Sequence, residues 1–212
     1  MAAAGKFAPP DEAEVARLLL GHPFAWVVTS HEGGTCATPL PLRPVLDGSG
    51  GFTELLGHFA RGNPHADLVR RAPRALVLFM GPHGYVSASW FTDRTRTPTW
   101  NYAAAQFLVD IELVEDEAGT AHVLRDLVGA MEQGRLRAWS IEEMGPRYSQ
   151  LARGIVAFRA RIVERRVKFK LGQDERDAEY ADIVGALGGG AGGRSGDDLL
   201  EWMQRCNRSR GG

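Results

Sequence analysis

The chain has almost no cysteine: Cys36 and Cys206 are the only two in 212 residues. A disulfide scaffold is thereby excluded in practice. It lacks a charge excess, with 25 Lys plus Arg against 26 Asp plus Glu and a formal net charge of -1. Such a chain has no strong positive field for non-specific nucleic-acid binding, so direct DNA binding is unsupported. No apolar run reaches the length that spans a membrane. The start, Met1-Ala-Ala-Ala-Gly-Lys, has no apolar stretch behind it and does not read as a secretory signal. A cytoplasmic globular protein is expected. Gly-x-Gly-x-x-Gly after the first strand is missing, as are a phosphate loop and Gly-x-Ser-x-Gly. The six histidines have no zinc-type spacing with cysteines, so no metal site is expected.

What is present is a 44% hydrophobic chain with dense strand signals. A helix is expected after Pro9-Pro10, with Asp11 and Glu14 resembling a capping box. Phe24 to Thr29 reads as a strand, and Glu32-Gly33-Gly34 as a hairpin turn. The return segment, Thr35 to Pro44, carries three prolines and is expected to be irregular, near an edge or a ligand. Phe52 to Phe59 is a third strand, and Asn63-Pro64 starts a helix. Arg74 to Met80 is an apolar strand. Gly81-Pro82-His83-Gly84 then reads as a turn into Tyr85-Val86-Ser87. Ser89 to Tyr102 shows no clean period. Phe107 to Glu115 and Ile155 to Val163 alternate as strands, and Lys168 to Leu171 alternates as a separate short one. A helix capped by Thr120 is expected between them. Two further helices flank the Gly-rich stretch 188–194, which is expected to be a flexible linker. Domain boundaries follow at 1–187, 188–194 and 195–212. Six or seven strands with irregularly inserted helices favour a mainly β fold with peripheral helices, a small antiparallel barrel, over a doubly wound sheet.

Three clusters could carry chemistry. His58, Arg61 and Asn63 lie where a strand end meets a helix start, which suits a phosphate; a capped helix beside a solvated arginine is the plainer reading. His83, Trp100 and Asn101 belong to aromatic loops able to sandwich a flat heterocycle, or else to close one end of a barrel or fill a dimer seam. Lys168 and Lys170 face one way on a strand, as an anion site or as a wet outer face.

Taken together and in order, six stretches resemble the PaiB-like group of FMN-binding negative transcriptional regulators, within the flavin split-barrel superfamily. They are His22-Pro23-Phe24-Ala25, Pro39-Leu40-Pro41-Leu42, Gly57-His58-Phe59-Ala60-Arg61-Gly62-Asn63-Pro64, Gly81-Pro82-His83-Gly84-Tyr85-Val86-Ser87, Pro98-Thr99-Trp100-Asn101-Tyr102 and Lys168-Phe169-Lys170-Leu171. The resemblance implies an FMN-binding split β-barrel of Greek-key, PNP-oxidase-like type, working as a homodimer with FMN at the subunit interface. It implies that Pro39 and Leu40 run beside the flavin ring, and that Arg61 meets the phosphate with Lys168 or Lys170. His58 and Asn63 belong to the same motif, and His83, Trp100 and Asn101 would line the mouth. Regulation of transcription, direct or indirect, is the implied role. A flavin-dependent oxidoreductase with a nicotinamide or other small redox partner is the alternative, and a cofactor-free interaction module a third. The family pattern has a histidine where Thr38 stands, another near Gln106, and a serine where Gly172 stands.

Overall fold

The structure is a computed structural model, and it describes residues 5–208. The first four residues, on which the reading of the chain start partly rests, and the end of the C-terminal tail, 209–212, lie outside the described residues.

Helix α1 (Glu12–Gly21) begins where Asp11 Oδ1 accepts the backbone N–H of Glu14 at 2.8 Å. Strands β1 (Phe24–His31) and β2 (Gly34–Pro41) form an antiparallel hairpin in unbroken register, from Phe24 opposite Pro41 to His31 opposite Gly34. Strand β3 (Arg43–Leu46) pairs with β4 (Phe52–Ala60) across a register shift between Pro44 and Leu46. Helix α2 (Pro64–Arg71) follows. Strand β5 (Arg74–Val86) precedes β6 (Thr99–Val114). Helices α3 (Glu117–Glu132) and α4 (Arg147–Ala152) lead to β7 (Ile155–Lys170), then to α5 (Asp177–Gly188) and α6 (Gly193–Cys206).

The seven strands form one sheet in the order β2-β1-β5-β6-β7-β4-β3. It is open, with β2 and β3 as its two ends. This corrects the expectation of a closed split barrel. The composition of the end strands gives the reason. Pro39 and Pro41 in β2, and Pro44 in the four-residue β3, have no N–H to donate to a closing ladder.

Three segmental expectations also change. Gly81-Pro82-His83-Gly84 is not a turn; it lies inside the 13-residue β5. A Cβ on Gly81 would come within 2.2 Å of Leu18 Cδ1, so this glycine serves close packing against α1. Residues 99–106 belong to the 16-residue β6, and 155–163 and 168–170 are one strand, β7. Helix α3 is capped by Asp116, whose Oδ1 accepts from Gly119 N at 2.7 Å, while Thr120 lies within the helix.

The chain divides into two compact units. The first comprises Met1–Leu18, Met80–Ala105 and Arg166–Gly212, and the second Leu19–Phe79 and Gln106–Arg165. In the first, Phe169 and Trp202 meet edge-to-face at 5.6 Å, with Leu171, Ile183, Leu199 and Met203 buried. In the second, Phe107 contacts both Phe52 and Phe79 edge-on at 5.9 Å, and Phe59 packs on Phe158 at 4.8 Å. Around Phe79 in β5 and Phe107 in β6 buried residues alternate with partly exposed ones, the period-two pattern of a half-buried sheet, whereas β4 and β7 bury 55–57 and 156–158 as continuous runs.

Candidate functional site

In the second unit, residues of the Asn63 motif build a polar cluster under α2. Asn63 caps the helix, its Oδ1 accepting from His65 N at 2.9 Å. Its amide also donates to Thr38 Oγ1 at 3.3 Å. Thr38 Oγ1 lies 2.8 Å from Nδ1 of His65, and Nε2 of His65 lies 2.9 Å from Thr29 Oγ1. His65 and Thr29 are fully buried, and burial lowers the His65 pKa from its ordinary value. A neutral ring suits this chain of hydroxyls. Thr38, where the family pattern has a histidine, is therefore the hydroxyl that orients His65.

Arg61 points elsewhere. Its Nε donates to the carbonyl of Arg153 at 2.6 Å and its Nη2 to that of Ile155 at 2.8 Å. It bridges the residue that ends α4 and the first residue of β7, where the helix carbonyls lack intrahelical partners. His58 lies opposite Ala157 in the β4–β7 ladder, on the face that carries the buried Leu56, Val123, Leu127 and Ala157 cluster. Its Nδ1 is buried without a partner, and burial lowers its pKa. Pro39 stands opposite Trp26 on the edge strand, and Leu40 opposite Ala25.

In the first unit, β5 and β6 present an open apolar recess of about 330 Å³ lined by Met80, His83, Trp100 and Tyr102. The His83 and Trp100 rings are stacked with centroids 6.0 Å apart. Tyr85 lies 6.1 Å from Trp100. Trp100 is 49% exposed and Met80 56%, so roughly half of each side chain is offered to solvent. Beside them, Lys168 Nζ sits 5.8 Å from the Tyr102 ring centroid and 5.1 Å from that of Phe7. Lys170 Nζ bonds Thr99 Oγ1, and donates to the Trp100 carbonyl at 3.1 Å. Asn101, between the exposed Trp100 and the partly buried Tyr102 on β6, faces the opposite way. It is 1% exposed, its amide nitrogen lies 3.7 Å from Met203 Sδ, and its Oδ1 is buried without a partner.

Of the ten residues expected at a cofactor, the structure thus gathers His83, Trp100, Lys168 and Lys170 on one side of the first unit and turns Asn101 inward. Pro39, Leu40, His58, Arg61 and Asn63 belong to the second unit. The sequence marked Thr38 only as a departure from the family pattern and did not single out Met80 or His65. Met80 closes an apolar strand and reads as core. His65 follows a helix-start proline and reads as helix surface. An exposed stack of rings with an ammonium beside it can take a flat, anionic heterocycle.

The family model described as "Putative FMN-binding domain" matches residues 1–164. The chain belongs to this PaiB-like FMN-binding family. It is 31% identical over 172 residues to "Protease synthase and sporulation protein PAI 2" of Bacillus subtilis, covering 77% of this chain and 78% of that protein. Among solved structures, the fold is similar to the flavocytochrome Anf3 of Azotobacter vinelandii, with TM-score 0.60 and 19% identity over 81% of this chain and 73% of that one. It is likewise similar to the conserved hypothetical protein Rv2991 of Mycobacterium tuberculosis, with TM-score 0.58 and 19% identity over 81% and 93%. Among the family departures, Gly172 has a physical basis here. Its φ is +83°, and a Cβ would lie 3.1 Å from Met203 Cε and 3.2 Å from Tyr180, so a serine would be strained.

Proposed function

We propose that this protein is a PaiB-type regulator that binds FMN as a homodimer and regulates transcription indirectly. The observation that carries the reading is the half-exposed ring surface of Trp100, His83 and Tyr102 with Lys168 beside it, in a chain of an FMN-binding family. Trp100, His83 and Tyr102 would hold the isoalloxazine, and the Lys168 ammonium would attract the phosphate. FMN supplies redox chemistry when bound; the protein supplies placement.

Dimerisation is supported by an exposed apolar sheet face in the second unit. Register puts Trp26 between Pro39 and Leu78, and Val28 between Ala37 and Leu76. Phe24 is 65% exposed and Trp26 50%. A row of large apolar side chains on one face is characteristic of an interaction surface. Indirect regulation is supported by how four of the second unit's arginines are engaged. Arg159 pairs with Glu54, Arg74 and Arg161 with Asp110, and Arg70 with Glu115. Arginines paired to carboxylates present no free cationic row to a phosphate backbone.

The test is an absorbance and fluorescence titration of the purified protein with FMN. Saturable binding of one FMN per subunit is expected. Trp100→Ala should weaken it several-fold, since an aromatic stack contributes about 0.5–1.5 kcal/mol. Absence of a perturbed flavin spectrum at saturating FMN would overturn the reading. Reduction of the bound flavin by a nicotinamide with turnover would instead identify an oxidoreductase.

A further inference from the structure

The second unit carries a cleft that the FMN reading does not use. It encloses about 270 Å³ between the end of β4, the first turn of α3 and the end of α4, and is lined by Arg61, Glu115, Glu117, Thr120, Ser149 and Arg153 among others. The charges on its walls are of both signs. Arg61 is held in place by the two carbonyl bonds from Nε and Nη2, which leaves Nη1 without either of those partners. Glu115 is held from the other side by Arg70, which bonds its Oε1 at 2.7 and 3.2 Å and keeps its carboxyl below the usual carboxylate range. The Arg153 guanidinium and the Glu117 carboxylate each line this cleft, yet among the described residues neither makes an ion pair with the other or with any third group. Two opposite charges that border one cleft without closing on each other leave a gap of the right polarity for a molecule carrying both signs. Thr120 and Ser149 add hydroxyls for a polar substituent.

We propose that this cleft is a second ligand site, for a small zwitterion of the amino-acid class. Its carboxylate meets the Arg61 and Arg153 guanidiniums, and its ammonium meets Glu115 and Glu117. Guanidinium is the group suited to forked carboxylate recognition, and one of the two is already immobilised, which lowers the ordering cost of binding. The site lies wholly in the second unit, so it stands or falls apart from the FMN assignment.

The test is calorimetric titration of the full-length protein with glycine, β-alanine and γ-aminobutyrate, which differ in charge separation, and with acetate and methylammonium as single-charge controls. At least one zwitterion should bind saturably, and about tenfold more tightly than either control, the effect of one additional charge-assisted hydrogen bond. Arg153→Ala and Glu117→Ala should each weaken that zwitterion about tenfold. Both side chains are exposed, so the melting temperature and the FMN titration should be unchanged, which separates loss of this site from loss of fold or flavin. The proposal is overturned if no zwitterion binds saturably, if acetate or methylammonium binds as tightly as the best zwitterion, or if both variants keep wild-type affinity.

Discussion

Two histidines in the second unit couple this fold to protons. Burial lowers the pKa of both His58 and His65 below the ordinary histidine value of 6.5. A group whose pKa is lower folded than unfolded leaves the unfolded chain binding more protons between the two values. Stability is therefore complete above about pH 6.5 and declines as pH falls below it toward the folded-state values. Thermal melts at pH 7.5 and 5.5 should show the lower melting temperature at 5.5. A His65→Gln variant should show a smaller difference between the two, and an unchanged difference would assign the effect to other groups. Thr38 is the next residue to test. Thr38→Val removes the hydroxyl that contacts both Asn63 and Nδ1 of His65. It should cost about 1–3 kcal/mol in a denaturant titration, because a buried ring nitrogen loses its partner.

At the scale of the element, α2 depends on its cap. Asn63→Ala removes the acceptor for His65 N and should destabilise the protein by about 1 kcal/mol, read as a shift in the denaturation midpoint. This cap was legible in the sequence, because Asn followed by Pro is a local signal whose physics needs only the first helical turn. The hairpin β1–β2 was legible for the same reason. The long strands were not. Gly81, Pro82 and Gly84 spell a turn locally, and only α1 and α6 against them explain the glycines: the Gly81 Cβ would strike Leu18, and the Gly84 Cβ would come within 2.9 Å of Leu199 Cδ2. A residue chosen for close approach and a residue chosen for a turn look alike in one dimension. The break expected between Val163 and Lys168 fails similarly. Its four intervening residues are charged or apolar without turn chemistry, and the ladder runs straight through them.

At the scale of the whole molecule, no helix among the described residues is long and apolar enough to cross a membrane. The exposed face of β1, β2 and β5 is where self-association is expected. Trp26→Ser removes the ring centred between Pro39 and Leu78 and should shift sedimentation from a dimer toward a monomer, whereas a sedimentation profile unmoved by this change would place the interface elsewhere. By itself, the sequence determined the family, the β-rich class, the caps of α1 and α2, the hairpin and the set of motif residues. Each of these depends on local chemistry or on the order of short motifs. Tertiary structure decided the rest. It left the sheet open at the proline-bearing β2 and the short β3, turned Asn101 inward to Met203 while Trp100 stayed half-exposed, and engaged Arg61 with the carbonyls of Arg153 and Ile155 between α4 and β7. It also brought Thr29, Thr38 and Asn63, from three segments, to one buried histidine. Alternation along a strand tells which side chains share a face, but which face meets a helix is set by partners distant in the chain.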